Sequence, residues 1–147
     1  MAVAGKPMGA APAGQGSGSP APRRVKIFVI DDSNLVLEMA RRVLSAAGFD
    51  VICRADPVGS TAAIMRELPD LVLIDVGMPG LNGNHLVRTI RLRQSLRHIR
   101  LVLFSSRSVA ELERLVAECG ADGFIEKQSG LADLPEKVRR ILKTPRS

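Results

Sequence analysis

The chain has 147 residues, enough for one domain with a hydrophobic core but not for two. Hydrophobic residues make up 46% of it and aromatic residues only 3%, so we expect an aliphatic core. No apolar run approaches the ~20 residues of a membrane span, and the first residues lack the apolar segment of a secretory signal. These features exclude a membrane protein and argue against a secreted one.

The net charge of +6 is not a nucleic-acid signature, because much of it lies outside the expected fold. Four of the 21 basic side chains are placed there, at Lys6, Arg23, Arg24 and Arg146, which leaves 17 beside 15 acidic ones. A local basic run remains, at Arg88, Arg91, Arg93, Arg97 and Arg100. No aromatic residue lies among these arginines to stack on bases. A solvated helix face and loop is the favoured interpretation.

The two ends of the chain differ in composition from its middle. Residues 1–23 are rich in Gly, Ala, Pro and Ser, which predicts a disordered tail before a domain at 24–144 and a short tail at 145–147. Cys53 and Cys119 have no CxxC spacing and no nearby His. We interpret both as reduced packing residues of a cytoplasmic protein, with a disulfide as the less favoured alternative.

Five strand-like apolar runs alternate with five helical patterns. The predicted strands are residues 25–30, 49–53, 71–74, 100–104 and 123–126. The predicted helices begin after caps at Ser33, Asp56–Pro57 and Ser108, near Asn84, and at Leu131 or Asp133, and they end near residues 48, 67, 93, 119 and 142. This alternation predicts an α/β fold, a parallel sheet with helices on both faces and right-handed crossovers.

Polar side chains follow four of the five predicted strands. Parallel strands end at one edge of a sheet, where ligands bind. The residues expected at that edge are Asp31 and Asp32 after strand one, Asp75 after strand three, Ser105 and Ser106 after strand four, and Lys127 after strand five. Strand two supplies no carboxylate and is expected to be an edge strand.

Three carboxylates at one edge need a compensating cation. Two unit charges ~4 Å apart repel by about 4 kcal/mol at an effective dielectric near 20. Oxygen donors without His or Cys favour Mg²⁺, which commonly shares its coordination shell with phosphate oxygens. Lys127 and Ser105 would supply a positive charge and a hydroxyl to the same phosphate. The site therefore suits a phosphoryl group.

This set of residues resembles the receiver domain of two-component response regulators, over residues 25–142. The resemblance rests on the adjacent acids after strand one, Asp-x-x-Met-Pro-x-x-x-Gly from Asp75, Ser105 after strand four and Lys127 after strand five. It implies a flavodoxin-like, doubly wound sheet of five parallel strands in the order 2-1-3-4-5, with five helices. It also implies a stand-alone signalling phosphoacceptor that catalyses only its own phosphorylation and dephosphorylation.

The resemblance assigns a role to each site residue. Asp75 would be the phosphoacceptor, and Mg²⁺ would be held by Asp31, Asp32, Asp75 and the backbone carbonyl of Gly77. Ser105 and Lys127 would bind the phosphoryl group. Ser105 and Phe124 would be the switch residues, which reshape the surface formed by the fourth helix, fifth strand and fifth helix.

The implied partners are proteins. A sensor histidine kinase or a histidine phosphotransfer protein would donate the phosphoryl group, and a downstream protein would bind the fourth-helix and fifth-helix surface. No DNA-binding domain and no membrane partner are expected. The protein would be a monomer or a phosphorylation-dependent homodimer.

Two other functions stay open at this point. A pseudo-receiver would bind partners without ever being phosphorylated. A haloacid-dehalogenase-like phosphohydrolase also uses an Asp at a strand end with Mg²⁺, but that family has Asp-x-Asp where Asp31 and Asp32 are contiguous. Gln128 departs from the receiver pattern, because Pro usually follows the strand-five Lys; the loop from Lys127 to Gly130 is therefore expected to differ.

Overall fold

Five strands and five α-helices alternate in the part of the chain that the structure, a computed structural model, describes: residues 23–78 and 82–145. The strands are β1 (Lys26–Ile30), β2 (Asp50–Arg54), β3 (Leu71–Ile74), β4 (Arg100–Ser105) and β5 (Gly123–Glu126). The helices are α1 (Asn34–Ala46), α2 (Ser60–Glu67), α3 (Gly83–Arg91), α4 (Val109–Cys119) and α5 (Leu134–Lys143). Short 3₁₀ helices lie at Gln94–Leu96 and Lys127–Ser129.

The strands form one parallel sheet in the order β2-β1-β3-β4-β5. This confirms the predicted order and the edge position of β2. In β1, Ile30 is paired with Arg54 of β2 and with Ile74 of β3. The residues that follow β1 and β3 therefore emerge side by side, and this brings Asp31 close to Asp75.

Helices cover both faces of the sheet, as the alternation predicts. Alternate strand residues, such as Phe28 and Val72, pack into a core with α2, α3 and α4. The residues between them, such as Val29 and Leu73, pack with α1 and α5. All four residues of β3 are fully buried, which explains why its sequence is an uninterrupted apolar run.

Most predicted helix ends are confirmed. The Ser33 side chain accepts a hydrogen bond from the Val36 N–H (3.3 Å), and Ser108 caps α4 through the Glu111 N–H (3.2 Å). Gly120 ends α4 with a φ of 80°, a left-handed conformation that glycine adopts without strain.

The predicted start of α2 is wrong. Asp56 is not its N-cap: the Asp56 carboxylate accepts from the Val58 N–H (2.9 Å) in a turn, and α2 begins only at Ser60. The turn is held by Arg54, whose guanidinium donates to the backbone carbonyls of Asp56 and Val58. A local Asp-Pro pattern cannot reveal this long-side-chain contact.

Other boundaries shift by a few residues. Asn82 caps α3 by accepting from the His85 N–H (3.1 Å), so α3 begins at Gly83 rather than Asn84, and it ends at Arg91. Strand β2 includes Arg54 because Arg54 pairs with Ile30 of β1. Helix α5 begins at Leu134, later than predicted.

Arg23 and Arg24 contact the folded domain, although Arg23 belongs to the predicted tail and Arg24 precedes the first predicted strand. The Arg23 guanidinium donates to both carboxylate oxygens of Asp70 (2.7 and 3.1 Å), and Arg24 donates to Asp50 (3.2 Å). The rest of the predicted tail lies outside the described residues. Within them, no helix has both the length and the apolar character needed to cross a membrane.

Candidate functional site

Three carboxylates meet where β1 and β3 end. Asp31 and Asp32 follow β1, Asp75 follows β3, and one oxygen from each lies within 4.8 Å of the others. Asp31 is fully buried, Asp75 is 8% exposed and Asp32 is exposed. The predicted acidic group is thus assembled, with Asp32 on its solvent side.

Asp31 forms the buried floor of this group. Its Oδ1 accepts a hydrogen bond from the Ser33 N–H (2.9 Å). Its Oδ2 accepts no well-aligned hydrogen bond from the described residues and is instead in ionic contact with Lys127 Nζ. A buried carboxylate oxygen is costly without a partner, so the ammonium group and any bound cation stabilise the site at this atom.

Asp75 is held by its neighbours on both oxygens. Oδ1 accepts from the Gly77 N–H (2.9 Å), and Oδ2 lies 3.4 Å from Lys127 Nζ. Burial raises the pKa of Asp75, and the charge of Asp31 raises it further. The Gly77 N–H and the Lys127 charge lower the pKa but offset the increase only in part.

Lys127 lies between the two carboxylates at the end of β5. Its side chain is 17% exposed, and Nζ lies 5.0 Å from the centre of the Phe104 ring. Phe104 is fully buried near the end of β4, so the Lys127 ammonium group packs against the face of a core residue. The sequence prediction missed this contact, because a buried aromatic in a strand looks like any other core residue.

The donor set fits Mg²⁺. It consists of carboxylate oxygens without sulfur or imidazole, and Asp31 Oδ2 is a buried oxygen that lacks a hydrogen-bond donor among the described residues. The backbone N–H of Gly77 binds Asp75, and the predicted use of the Gly77 carbonyl as a ligand stays a prediction.

The two predicted switch residues, Ser105 and Phe124, lie on the adjacent strands β4 and β5. Ser105 ends β4 and is buried, and its hydroxyl accepts from the Arg107 N–H (3.1 Å). Phe124, in β5, is half-buried and packs against the core shared with α4. It also lines a cavity of about 250 Å³ between β5 and α5.

Gln128 makes a contact that was not predicted. Its side-chain amide donates to the Ser106 carbonyl (2.7 Å), which joins the loop after Lys127 to the loop after Ser105. The only sequence signal was the absence of the usual proline at this position.

Comparison with known proteins identifies the family. Residues 27–139 match the response regulator receiver domain. The chain is 30% identical to the chemotaxis protein CheY-3 of Vibrio cholerae, over 81% of this chain and 92% of that one. It is 28% identical to the transcriptional regulatory protein AruR of Pseudomonas aeruginosa, over 82% of this chain and 50% of AruR. It spans about half the length of several such curated relatives.

The fold comparison agrees. The high-resolution structure of the chemotaxis response regulator CheY4 of Vibrio cholerae aligns with a TM-score of 0.74, at 23% identity, over 81% of this chain and 99% of that one. Its likeness shows the fold, a CheY-like flavodoxin fold with the same strand order. The family match over residues 27–139 and the 30% identity to CheY-3 establish that the chain belongs to the response regulator receiver domains of two-component signalling.

Proposed function

We propose that Asp75 accepts a phosphoryl group from a phosphohistidine on a partner protein, in a two-component or phosphorelay pathway. The observation that carries this proposal is the position of Asp75 in the acidic group, with Lys127 Nζ 3.4 Å from its Oδ2 and Asp31 and Asp32 alongside. Asp75 is enclosed enough to be oriented and still reaches solvent.

The transfer is an in-line displacement. A carboxylate oxygen of Asp75 forms a bond to phosphorus while the bond from phosphorus to the imidazole nitrogen breaks. The electron pair stays with that nitrogen, which takes up a proton. Lys127 stabilises the negative charge on the transferring oxygens, and the Gly77 N–H keeps the carboxylate oriented.

Receiver domains bind Mg²⁺ at an acidic pocket, and Asp31, Asp32 and Asp75 are the residues that would hold it here. When bound, Mg²⁺ supplies charge neutralisation for the carboxylates and for the phosphoryl oxygens. The ionic contact of Lys127 with Asp31 provides part of that neutralisation from the protein itself.

Phosphorylation acts on partners by changing the shape of the surface formed by α4, β5 and α5. Ser105 moves toward the phosphoryl group, and Phe124 turns into the space that this movement opens. The half-burial of Phe124, which packs against the core shared with α4, supports this proposal. The affected surface, α4-β5-α5, then binds a downstream protein or a second copy of the chain, because phosphorylation shifts the population toward the binding form.

Incubation with Mg²⁺ and acetyl phosphate tests the phosphoacceptor. We expect intact-mass spectrometry to show the gain of one phosphoryl group, abolished by Asp75→Asn and by EDTA. Asp56→Asn is the matched control. The exposed Asp56 carboxylate binds the Val58 N–H in a surface turn and is not part of the acidic group, so this variant should keep the mass gain.

Other results point to other functions. Continuous release of phosphate, without a stable mass gain, would favour a phosphohydrolase. No mass gain and no Mg²⁺-dependent NMR shift at Asp75 would leave a phosphorylation-independent binding module. Sedimentation with and without beryllofluoride, over a range of protein concentrations, separates a monomer from a phosphorylation-dependent homodimer.

The free thiols of Cys53 and Cys119 support a reducing location, and we propose that the domain acts in the cytoplasm.

A further inference from the structure

The Lys127 ammonium group has a partner that the proposed function does not use. In the part of the chain that the structure describes, three groups contact Nζ: the carboxylates of Asp31 and Asp75, and the ring of Phe104, whose centre lies 5.0 Å away. The two carboxylates belong to the acidic group. The Phe104 ring is uncharged and belongs to the hydrophobic core.

Both carboxylates change their partners in the proposed reaction. An oxygen of Asp75 becomes bonded to phosphorus, and Asp31 is one of the residues that would hold Mg²⁺. Each change weakens the hold of these carboxylates on Lys127, because the bonded oxygen loses its charge and a bound cation competes for the other carboxylate. The Phe104 ring takes part in neither change. It is the contact of Lys127 that the reaction leaves intact.

Phe104 is itself held in place by the fold. It is fully buried, it is paired with Ile125 of β5, and it packs in the core that the sheet shares with α1 and α5. A close-packed core leaves a ring few alternative rotamers. Lys127, by contrast, has a long and flexible stem. A fixed ring beside Nζ therefore restricts the positions that the ammonium group occupies.

An aromatic ring attracts the ammonium group in a way that an aliphatic side chain does not. The face of the ring carries partial negative charge, and its attraction for a cation is stronger where both groups are shielded from water. Phe104 is fully buried, and the Lys127 side chain is mostly buried. A leucine at position 104 would be apolar as well, but it would not attract the charge.

We propose that Phe104 is a positioning residue for phosphoryl transfer, whose ring keeps Lys127 Nζ beside Asp75 while the two carboxylates change their partners. This role rests on the proposed function, because it concerns the reaction at Asp75. Phe104 does not touch the phosphoryl group and acts only through Lys127. A charge that is already in position stabilises the transition state without a reorganisation cost, and the ring supplies that position for the ammonium group.

Fluorinated phenylalanines, incorporated at position 104 of the full chain, test this role. Fluorine withdraws electron density from the face of the ring and weakens its attraction for a cation, while the ring nearly keeps its shape. The series thus avoids the cavity that Phe104→Leu would leave in the core. With one, two and three fluorines we expect stepwise slower phosphorylation by acetyl phosphate and Mg²⁺, about fivefold slower with three.

Phe49 provides the matched control. It is buried in the same core and also contacts a cation, since the Arg139 guanidinium lies 5.4 Å from the centre of its ring. Arg139 is not part of the acidic group. The same fluorinated residues at position 49 should therefore leave the rate of phosphorylation unchanged.

A second measurement separates positioning from core packing. NMR relaxation of lysine labelled with carbon-13 at Cε gives an order parameter for the end of the Lys127 side chain, which reports its motion on the picosecond to nanosecond timescale. We expect this order parameter to fall stepwise with fluorination at position 104 and to stay constant with fluorination at position 49. The measurement is made with Mg²⁺ and without a phosphoryl donor, so it does not depend on phosphorylation.

Three results would overturn the positioning role of Phe104. One is an equal rate throughout the series at position 104, and the second is equal slowing at positions 104 and 49. The third is slower phosphorylation with an unchanged order parameter of Lys127, which would assign the effect to packing. In all three cases the wild type is still phosphorylated and the proposed function stands. A wild type that takes up no phosphoryl group would instead overturn the proposed function, and the role of Phe104 with it.

Discussion

The Gln128 side-chain amide donates a 2.7 Å hydrogen bond to the backbone carbonyl of Ser106, 22 positions away in the chain. Lys127 and Ser105, one residue before each partner, are the two residues proposed to bind the phosphoryl group. The contact therefore holds the two phosphoryl-binding loops against each other by a side chain, at the position where the family usually has proline.

Gln128→Ala should loosen both loops. A hydrogen bond between neutral groups contributes about 1 kcal/mol, so we expect a small loss of stability and faster hydrogen exchange at Ser106 and Arg107. Gln94→Ala is the control, since Gln94 is also an exposed glutamine in a 3₁₀ helix. Unchanged exchange at Ser106 would show that the contact does not restrain the loop.

Lys127→Met should destabilise the domain strongly when no metal is present. The substitution removes the cation beside the fully buried Asp31 and leaves that carboxylate without compensation, which costs roughly 3 kcal/mol in comparable buried pairs. Urea unfolding in EDTA measures the loss, and added Mg²⁺ should restore part of it.

Lys137→Met is the matched control for that experiment. Lys137, on α5, forms an i,i+4 ion pair (3.7 Å) with Asp133, the residue just before α5, and Asp133 is largely exposed. Pairs of this kind contribute less than ~1 kcal/mol. Equal losses at Lys127 and Lys137 would contradict a special role of Lys127 at the acidic group.

Asp75→Asn should stabilise the domain in EDTA at neutral pH. The pKa of Asp75 is raised by burial, so the folded state holds this proton more tightly than the unfolded state does. The stability of the wild type therefore falls as the pH rises through the folded pKa. The amide avoids this cost, and we expect a gain of about 3 °C in melting temperature, roughly what 1 kcal/mol gives in a domain of this size.

The gain from Asp75→Asn should depend on conditions in two ways. It should shrink toward acidic pH, where the wild-type carboxyl group is protonated as well. It should also shrink with Mg²⁺, because the wild type has one more carboxylate to bind the ion. A gain that is independent of both pH and Mg²⁺ would show that charge at Asp75 is not its cause.

Asp70 should stabilise the domain at neutral pH and lose this effect in acid, whereas the charge of Asp75 destabilises the domain at neutral pH. Burial raises its pKa, but hydrogen bonds from Arg23 and from the Lys26 N–H, together with the Arg23 charge, outweigh burial and leave it below its usual value. Its contribution is thus complete above pH ~4, the unfolded pKa, and is lost as the pH falls through the folded pKa.

Asp70→Asn tests that contribution. We expect a loss of less than ~1 kcal/mol at pH 7, because its partner Arg23 is exposed to solvent and the pair is screened. Melting curves from pH 7 to pH 3 should show the wild type and the variant converging. When Arg23→Gln is added to both proteins, their melting temperatures should differ less at pH 7. Curves that stay parallel from pH 7 to pH 3 would rule out a pH-dependent contribution of Asp70.

The sequence alone determined which elements form and which residues reach the functional edge. Apolar runs such as residues 71–74, the cap at Ser108 and the turn at Gly120 are local features, and local sterics and hydrogen bonding decide them. Once strands and helices alternate, a parallel sheet must deliver Asp31, Asp75 and Lys127 to one edge. The acidic group was predictable for that reason.

Only the tertiary structure decided which side chains contact each other across the chain. Lys127 is in ionic contact with Asp31 and also lies near Asp75, Arg54 delays the start of α2, and Arg23 reaches Asp70. Each of these contacts depends on where a long, flexible side chain meets another segment. No local pattern encodes that distance.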